Sequence, residues 1–477
     1  MNYALVSMTV PFLCALTVLL AGPRLRTRYS GMLAVAGGLI SFVAAWAALL
    51  DVTATATPQL LNLGGWDDGL SIRLRLSPLS ALLALFTAMM HVLIGLYATF
   101  SRQGAARDFW PLSCFLHGSL VALWLSADLF NLYITLELLS LTAVAMVALS
   151  GPAAYKPAAN YLILSLAASL FYLMGVTFLY GHYGTLDIII LAPLTVDDTL
   201  TRLALLLITA GLMLKAALWP LHLWLPAAHA SAPTAVSALL SGLVVKGPLF
   251  ILWMMWSEVA PPALGQEVGP LLAFAGVLAL LAGGWAAMRT PWIKALVAYS
   301  TVAQLGYALM ALGLLLTWQL PQMHIALWLF VMAHGLAKAS LFLAAGEMQH
   351  TLGTRRVTSL RGATQTVPIA MFAFAVAGGS LIGLPPSGGF LAKWVLLEPL
   401  LSQPQNWPWA IGILLGTLVS AAYIFRVVVL AFDRATITPP DTRPDRLGHW
   451  LALLPALMVW GMTLAGERLI RLLAGGI

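Results

Sequence analysis

LLLITAGLMLKAALWPLHLWLP, residues 205–226, decides the fold class. It is as long as a bilayer crossing and carries one charge, Lys215, with a proline five residues later at 220. A proline there removes an amide and clashes with the preceding turn, so the helix is interrupted. An ionised side chain at the centre of a membrane helix costs about 2.5–3.5 kcal/mol on insertion scales. The stretch therefore reads as a broken membrane helix whose freed carbonyls and water accommodate a buried ammonium.

The composition extends that reading to the whole chain. Of 477 residues, 61% are hydrophobic and 9% charged, and the mean hydropathy is +0.92. Soluble domains hold roughly 45–50% apolar residues, so a water-soluble enzyme is excluded. Apolar runs bounded by Pro, Gly and charge clusters predict about 14 helices: 4–21, 31–50, 78–100, 109–127, 129–150, 157–181, 200–225, 233–257, 268–289, 295–316, 321–346, 366–397, 405–432 and 449–475. The expected fold is an all-α polytopic membrane protein without a soluble domain. Cys14 and Cys114 each stand alone in an apolar run, so no disulfide framework, iron–sulfur or zinc set is expected. The first apolar segment precedes its basic residues, the reverse of a cleaved signal peptide, and reads as the first spanning helix.

The net charge of +7 is orientation signal rather than a nucleic-acid surface. The odd-numbered connections hold Arg24, Arg26, Arg28, Arg102, Arg107, Lys156, Arg289, Arg355, Arg356, Arg361, Arg434, Arg443 and Arg446. The even-numbered ones hold only Arg73, Arg75 and Arg202, and collect the acids Asp51, Asp67, Asp68, Asp187, Asp197, Asp198, Glu258, Glu267 and Glu398. By the positive-inside rule the odd side is cytoplasmic and both termini face away from it. Arg468 and Arg471, near the last helix end, run against this scheme.

Charges left inside hydrophobic segments are functional candidates by default. Glu137, in ADLFNLYITLELLSLTAVAMVAL (127–149), is too deep to reach the surface and needs a cation or water; Asp128 at the mouth of that helix reads as an N-cap. A Glu137–Lys215 pair is expected to exchange protons. Lys246 ends SAPTAVSALLSGLVVKG (231–247), whose small residues suit close helix contacts; its bland reading is an ammonium that snorkels to the interface. His334 and Lys338, four apart, share a helix face. Lys393 follows GLPPSGGF (383–390), a second interrupted helix. Lys294 and Arg426 lie close enough to segment ends for snorkelling to account for them. Of His222 and His229, which flank the first break, His222 is favoured as a proton carrier. Glu137 reads as the one acid deep in the bilayer, which makes sodium coordination by this chain unpromising. Paired broken helices point to two inverted repeats. The division is 1–100, N-terminal helices; 101–257, first five-helix repeat; 258–432, second five-helix repeat; 433–477, loop and last helix.

Four blocks resemble one family, in its order: DLFNLYITLELL (128–139), LKAALWPLHLWLPAAHASAPTAVSALLSGLVVKG (214–247), HGLAKASLFLAAGE (334–347) and GLPPSGGFLAKW (383–394). They are similar to the antiporter-like membrane subunits shared by respiratory complex I, Mrp-type cation/proton antiporters and membrane-bound hydrogenases. The resemblance implies a 14-helix fold in which two inverted repeats form half-channels, joined by a central line of charged residues and water. It places Glu137, Lys215, Lys246, the His334/Lys338 motif and Lys393 on that line. Ala227, Pro291 and Ala295 depart from the family's charged pattern.

The expected function is proton translocation within a multisubunit membrane complex, through Glu137, Lys215, Lys246, His334, Lys338, Lys393 and His222, with no cofactor, no metal and no chemistry of the chain's own. Its partners are other membrane subunits, with protons exchanged for sodium by the complex or driven by a redox module. A proton-driven inorganic-carbon uptake complex and an independent solute transporter are the alternatives.

Overall fold

Helices that are apolar all round, rather than along one stripe, bury every face in lipid or in other helices, and the chain is built from them. The structure, a computed structural model, describes residues 1–22, 27–55, 57–64, 72–433 and 445–475. Arg24, Arg26, Asp67, Asp68, Arg434 and Arg443 of the loop assignment lie outside the described residues.

In chain order come α1 (Asn2–Ala21), α2 (Thr27–Thr55), the antiparallel hairpin β1 (Gln59–Leu63) and β2 (Ile72–Leu76), α3 (Pro78–Phe100), α4 (Phe109–Leu125), α5 (Leu129–Ala148), α6 (Pro152–Tyr183), α7 (Ile188–Leu191) and α8 (Thr199–Lys215). Then follow α9 (Leu225–Ser231), α10 (Thr234–Leu239) and α11 (Lys246–Met254). A π-helical turn, Leu240–Val244, joins the last two into one rod running to Val259. The remainder is α12 (Pro262–Arg289), α13 (Ile293–Trp318), α14 (Pro321–Leu352), α15 (Ala363–Thr366), α16 (Pro368–Ile382), α17 (Gly388–Leu401), α18 (Trp407–Phe432), α19 (Arg446–Gly461) and α20 (Gly466–Ala474). Among the described residues, 11 helices are long and apolar enough to cross a membrane, and Phe109–Leu125 and Pro368–Ile382 are shorter apolar helices. Apart from the short β1–β2 hairpin, the described residues form an all-helical membrane protein.

Two helix ends differ from expectation and one break falls within the expected interruption; each bears on function. The segment expected to run from 200 to 225 stops at Lys215, because Ala217 takes a left-handed φ of 52° before the Trp219–Pro220 bond. The segment 366–397 divides at Gly383, whose φ of 94° suits glycine, into α16 and α17. The segment expected to end at 346 continues to Leu352, which brings Glu347 inside α14.

The rod Thr234–Val259 and α14 form the centre, with the spanning windows of both wholly buried. Around them α12 and α13 touch backbone to backbone: a Cβ on Gly276 would lie 2.5 Å from the Gly306 carbonyl oxygen, so small residues set this interface.

The acid-rich loops neutralise their own arginines. Arg73 pairs with Asp187 at 2.8 Å, Arg75 with Glu258 at 2.7 Å and Arg202 with Asp197 at 2.7 Å. On the same loops the Thr201 backbone N–H holds the Asp198 carboxyl below its ordinary range, and His182 adds to this. Arg468 and Arg471 sit on the exposed side of the short α20, which follows α19 after one 3-10 turn, and there Arg471 pairs with Glu467.

Candidate functional site

Asp128 begins the site by ending a loop. Its side chain accepts the Asn131 backbone N–H at 2.7 Å and starts α5 in a fixed rotation; burial raises its carboxyl above the ordinary range despite that hydrogen bond. Nine residues on, α5 presents Glu137, and one turn later Ser140.

Lys215, the last residue of α8, reaches this pair. Its Nζ lies 2.7 Å from Glu137 Oε1, 3.0 Å from Ser140 Oγ and 3.2 Å from Ser165 Oγ, while Ser169 Oγ also donates to Glu137. The expected Glu137–Lys215 pair is present, ringed by three serines from α5 and α6. The Lys215 side chain is 2% exposed and that of Glu137 16%. Charges held this far from water need such satisfaction. The open end of α8 is also used: Trp224 Nε1 donates to the Leu214 carbonyl at 2.9 Å, and Trp224 stacks on Tyr161 at 3.9 Å.

Lys246 opens α11 just beyond the π-helical turn, which leaves carbonyl groups free. Its Nζ takes the Ser241 carbonyl and lies 2.9 Å from His334 Nδ1. With Lys246 and His334 both 1% exposed, snorkelling is excluded for Lys246. Leu139 of α5 packs on Gly247 while its neighbour Ser140 holds Lys215, so the Lys215 and Lys246 sites flank one turn of α5.

Lys338 shares the His334 face of α14 and points to α13, where its Nζ takes the Val297 carbonyl at 2.9 Å and the Ser300 hydroxyl. Ser241 Oγ meets Thr301 Oγ1 at 2.9 Å, so the polar contacts of Lys246 and Lys338 converge on adjacent residues of α13. The same helix continues the line. Gln304 Nε2 donates to the Leu381 carbonyl at 3.2 Å and to Ser420 Oγ at 2.8 Å.

Lys393 shares that Leu381 carbonyl. Its Nζ lies 2.7 Å from Leu381 O, 3.0 Å from Ile382 O and 4.2 Å from the centre of the Tyr307 ring. The two carbonyls belong to the open end of α16, the negative end of a helix dipole, and the ring face adds a cation–π contact. The break at GLPPSGGF thus solvates the ammonium with backbone carbonyls and a ring face in the role that an acid plays at the first break.

The structure thus brings Glu137 to Lys215 and Lys246 to His334, and buries Lys338 and Lys393 against α13 and the end of α16. His222 is the exception. It sits partly exposed in the turn after the first break, with Nδ1 unpartnered among the described residues. His229, which the sequence reading set behind His222, is 0% exposed, stacks on Phe342 at 4.6 Å, and has Lys338, Lys294 and Lys246 as its charged neighbours. The two short helices α9 and α10 fold back under the break, and this carries residue 229 inward while residue 222 stays at the rim. Lys294 is also corrected. It is 6% exposed and gives its Nζ to the Ala232 carbonyl at 3.0 Å, because the α9–α10 junction covers it.

Sequence reasoning passed over Ser300, Gln304 and Tyr307, although their spacing of three and four in ALVAYSTVAQLGY is a polar stripe on one face of a membrane helix. It also passed over Glu347, which is 0% exposed, so Glu137 is not the one deep acid. At the other end of α14, a cavity of about 510 Å³ lined by Arg75, Trp253, Glu258 and His324 opens among the acidic loops. The buried Trp253 Nε1 and His324 Nε2 have no partner among the described residues, so this space suits water.

Residues 126–420 match the family described as NADH:quinone oxidoreductase/Mrp antiporter, transmembrane. The chain is 32% identical over 458 residues to NADH-quinone oxidoreductase subunit N of Desulforudis audaxviator, covering 92% of this chain and 90% of that protein. It is 26% identical over 381 residues to a Na(+)/H(+) antiporter subunit of Alkalihalophilus pseudofirmus, covering 78% and 76%. A chain of the Mrp complex from Dietzia sp. DQ12-45-1b has the same fold, with a TM-score of 0.89 at 23% identity, over 100% of this chain and 97% of that one.

Proposed function

Since the chain belongs to the NADH:quinone oxidoreductase/Mrp antiporter transmembrane family, we propose that it is the proton-translocating membrane subunit of a larger complex. The observation that carries this reading is the buried line of basic residues with one acid at its head. Each lysine on it is held by side-chain or backbone oxygens or by a histidine nitrogen. Lysines so placed change partners when protonated or deprotonated, which is what stepwise proton transfer requires.

In the proposed cycle Glu137 sets the charge on Lys215 by closing or opening their contact. A proton released there moves to Lys246 and His334, then to Lys338, past Gln304 and on to Lys393. Gln304 and the serines position water and donors; they carry no charge themselves. The residues run as two repeats, 101–257 and 258–432, each with one helix interrupted beside a buried lysine, flanked by 1–100 and 433–477. The chain lies in the cell inner membrane with fourteen crossings, and the arginine-rich connections mark the cytoplasmic face.

The relatives' names include both a quinone oxidoreductase subunit and a sodium/proton antiporter subunit, so the driving partner is a redox module or a sodium gradient. Proton flux in proteoliposomes carrying the purified complex tests the function. Lys215→Ala and Glu137→Gln should each reduce it by about tenfold or more; unchanged coupling in both variants would sink the assignment. The subunits that copurify distinguish the two drivers.

A further inference from the structure

Glu347 has no role in the line described above, and its surroundings are built rather than incidental. Its Oε1 accepts the Tyr97 hydroxyl at 2.5 Å and the Gln103 amide at 3.0 Å. Among the described residues its Oε2 has no hydrogen-bond partner and faces His449 Nε2, equally unpartnered, across 3.5 Å. Glu347, Tyr97 and His449 are 0%, 1% and 2% exposed. Beside them Asp445, 6% exposed, accepts the Arg102 backbone N–H at 2.5 Å. Gly448 leaves the space: a Cβ there would lie 2.8 Å from Glu347 Oε1 and 2.7 Å from Asp445 Oδ2.

The groups come from α14, from the end of α3 and its following turn, and from the start of α19, on the side of the arginine-rich connections. The other charged or titratable groups nearest the cluster on these segments are Arg102, Asp108, His350 and Arg446, all exposed, and the half-buried Arg107. A carboxyl oxygen and an imidazole nitrogen facing each other with no other partner are placed to pass one proton between them: it bonds to Oε2 or to Nε2, and net composition is the same either way.

Glu347 lies nine residues beyond Lys338, about 13 Å along the helix and half a turn round it, too far for direct transfer. The intervening ground is polar. Gln103 Oε1 accepts from Thr234 Oγ1 at 2.8 Å, which links the cluster to α10, and just before α10 stands His229 with both ring nitrogens buried and unpartnered among the described residues. His229 stacks on Phe342, between Lys338 and Glu347 in the sequence of α14, and has Lys338 and Lys246 as charged neighbours.

We infer that Glu347 and His449 form a proton-exchange site on the arginine-rich face, connected through water past Thr234 and His229 to Lys338. Tyr97 and Gln103 are positioning residues that hold one carboxyl oxygen and leave the other to exchange. The inference rests on the proposed translocation function. A purely structural clamp between α3, α14 and α19 is the competing role.

The test uses the intact complex in proteoliposomes. Glu347→Gln keeps an oxygen acceptor for Tyr97 and Gln103 and cannot exchange a proton. It should lower flux by about tenfold at unchanged complex yield and melting temperature, with partial recovery in Glu347→Asp. In pH-difference infrared spectra it should remove one protonated-carboxyl band. Should the glutamine variant fail to assemble, His449→Gln provides the reading, with the prediction of a displaced pH–rate profile. Wild-type flux in Glu347→Gln, whatever its carboxyl band, or a wild-type pH–rate profile in His449→Gln, overturns the site. Lys215→Met, measured alongside, separates the two levels. If it abolishes flux while Glu347→Gln does not, the exchange site alone falls; if it too retains flux, the translocation function falls with it.

Discussion

The two broken helices solve one problem in two ways. At the first break the lysine ends its helix, and a carboxylate on α5, with Ser140 and Ser165, holds the ammonium, while Ser169 donates to the carboxylate. At the second break the lysine follows the interruption, and the ammonium is held by two carbonyls at the end of α16 and by the Tyr307 ring. The first site is an ion pair between separate helices, so its strength changes when α5 moves against α8. The second is a backbone site next to its own break, where fixed dipoles replace a mobile counter-charge. The first is suited to respond to a neighbouring unit, and the second to accept and release a proton at fixed geometry.

The largest effects follow from breaking the first site. Lys215→Met leaves Glu137 without its cation, and removing one partner of a buried pair costs about 3–5 kcal/mol. The variant should show a lower melting temperature in the complex together with loss of flux. Adding Glu137→Gln should restore the melting temperature but not the flux. Recovery of both would mean that the pair is a structural lock.

Lys393 should behave differently. Lys393→Met leaves only carbonyls, which retain their place at the helix end, so the complex should keep its yield and melting temperature while flux falls by about tenfold or more. Lys393→Glu is the sharper probe. It sets a carboxylate against the negative end of α16, and its melting temperature should fall below that of Lys393→Met. Equal values would show that the carbonyls do not define the site.

Gln304→Leu tests the span between the two sites and should have an intermediate effect. It removes the donor shared between Leu381 O and Ser420 Oγ and leaves every charged group in place. Flux should fall several-fold, while stability falls by no more than the about 1–3 kcal/mol that unsatisfied acceptors cost. Gln304→Glu should not restore flux, since an acid so near Lys393 would hold the proton.

How far these sites could be read from the chain differs in the same way. Glu137 and Lys215 declared themselves, because a charge with a full apolar run on either side has nowhere to go and insertion cost alone marks it. The general fold was equally plain from the apolar runs. Lys294 and Glu347 lie near the ends of their segments, where sequence position does not distinguish a snorkelling side chain from a buried one. Their depth is set by what covers them: the α9–α10 junction over Lys294, and α19 with the end of α3 over Glu347. Those are contacts between segments far apart in the chain, and no periodicity reports them. The stop of α8 at Lys215 was hidden for a similar reason, since Trp224 folding back to the Leu214 carbonyl allows the helix to end before its proline.

The smallest predicted effect concerns the histidines after the first break, and it tests whether that break serves only its own lysine or feeds the centre. His222 stays in the turn, partly exposed, and its replacement by Gln should change flux by less than about twofold. His229 is buried among Lys338, Lys294 and Lys246 with two ring nitrogens open among the described residues. Gln at that position keeps one donor and one acceptor of similar reach but has no ring to stack on Phe342 and cannot take up a proton, so transfer slows. If His229→Gln lowers flux by about fivefold or more and His229→Phe, which keeps the stack, lowers it equally, the loss is one of proton carriage and not of packing. If His222→Gln has the greater effect, the first break opens toward its rim, and the asymmetry between the two breaks lies in their access to water rather than in their counter-charges.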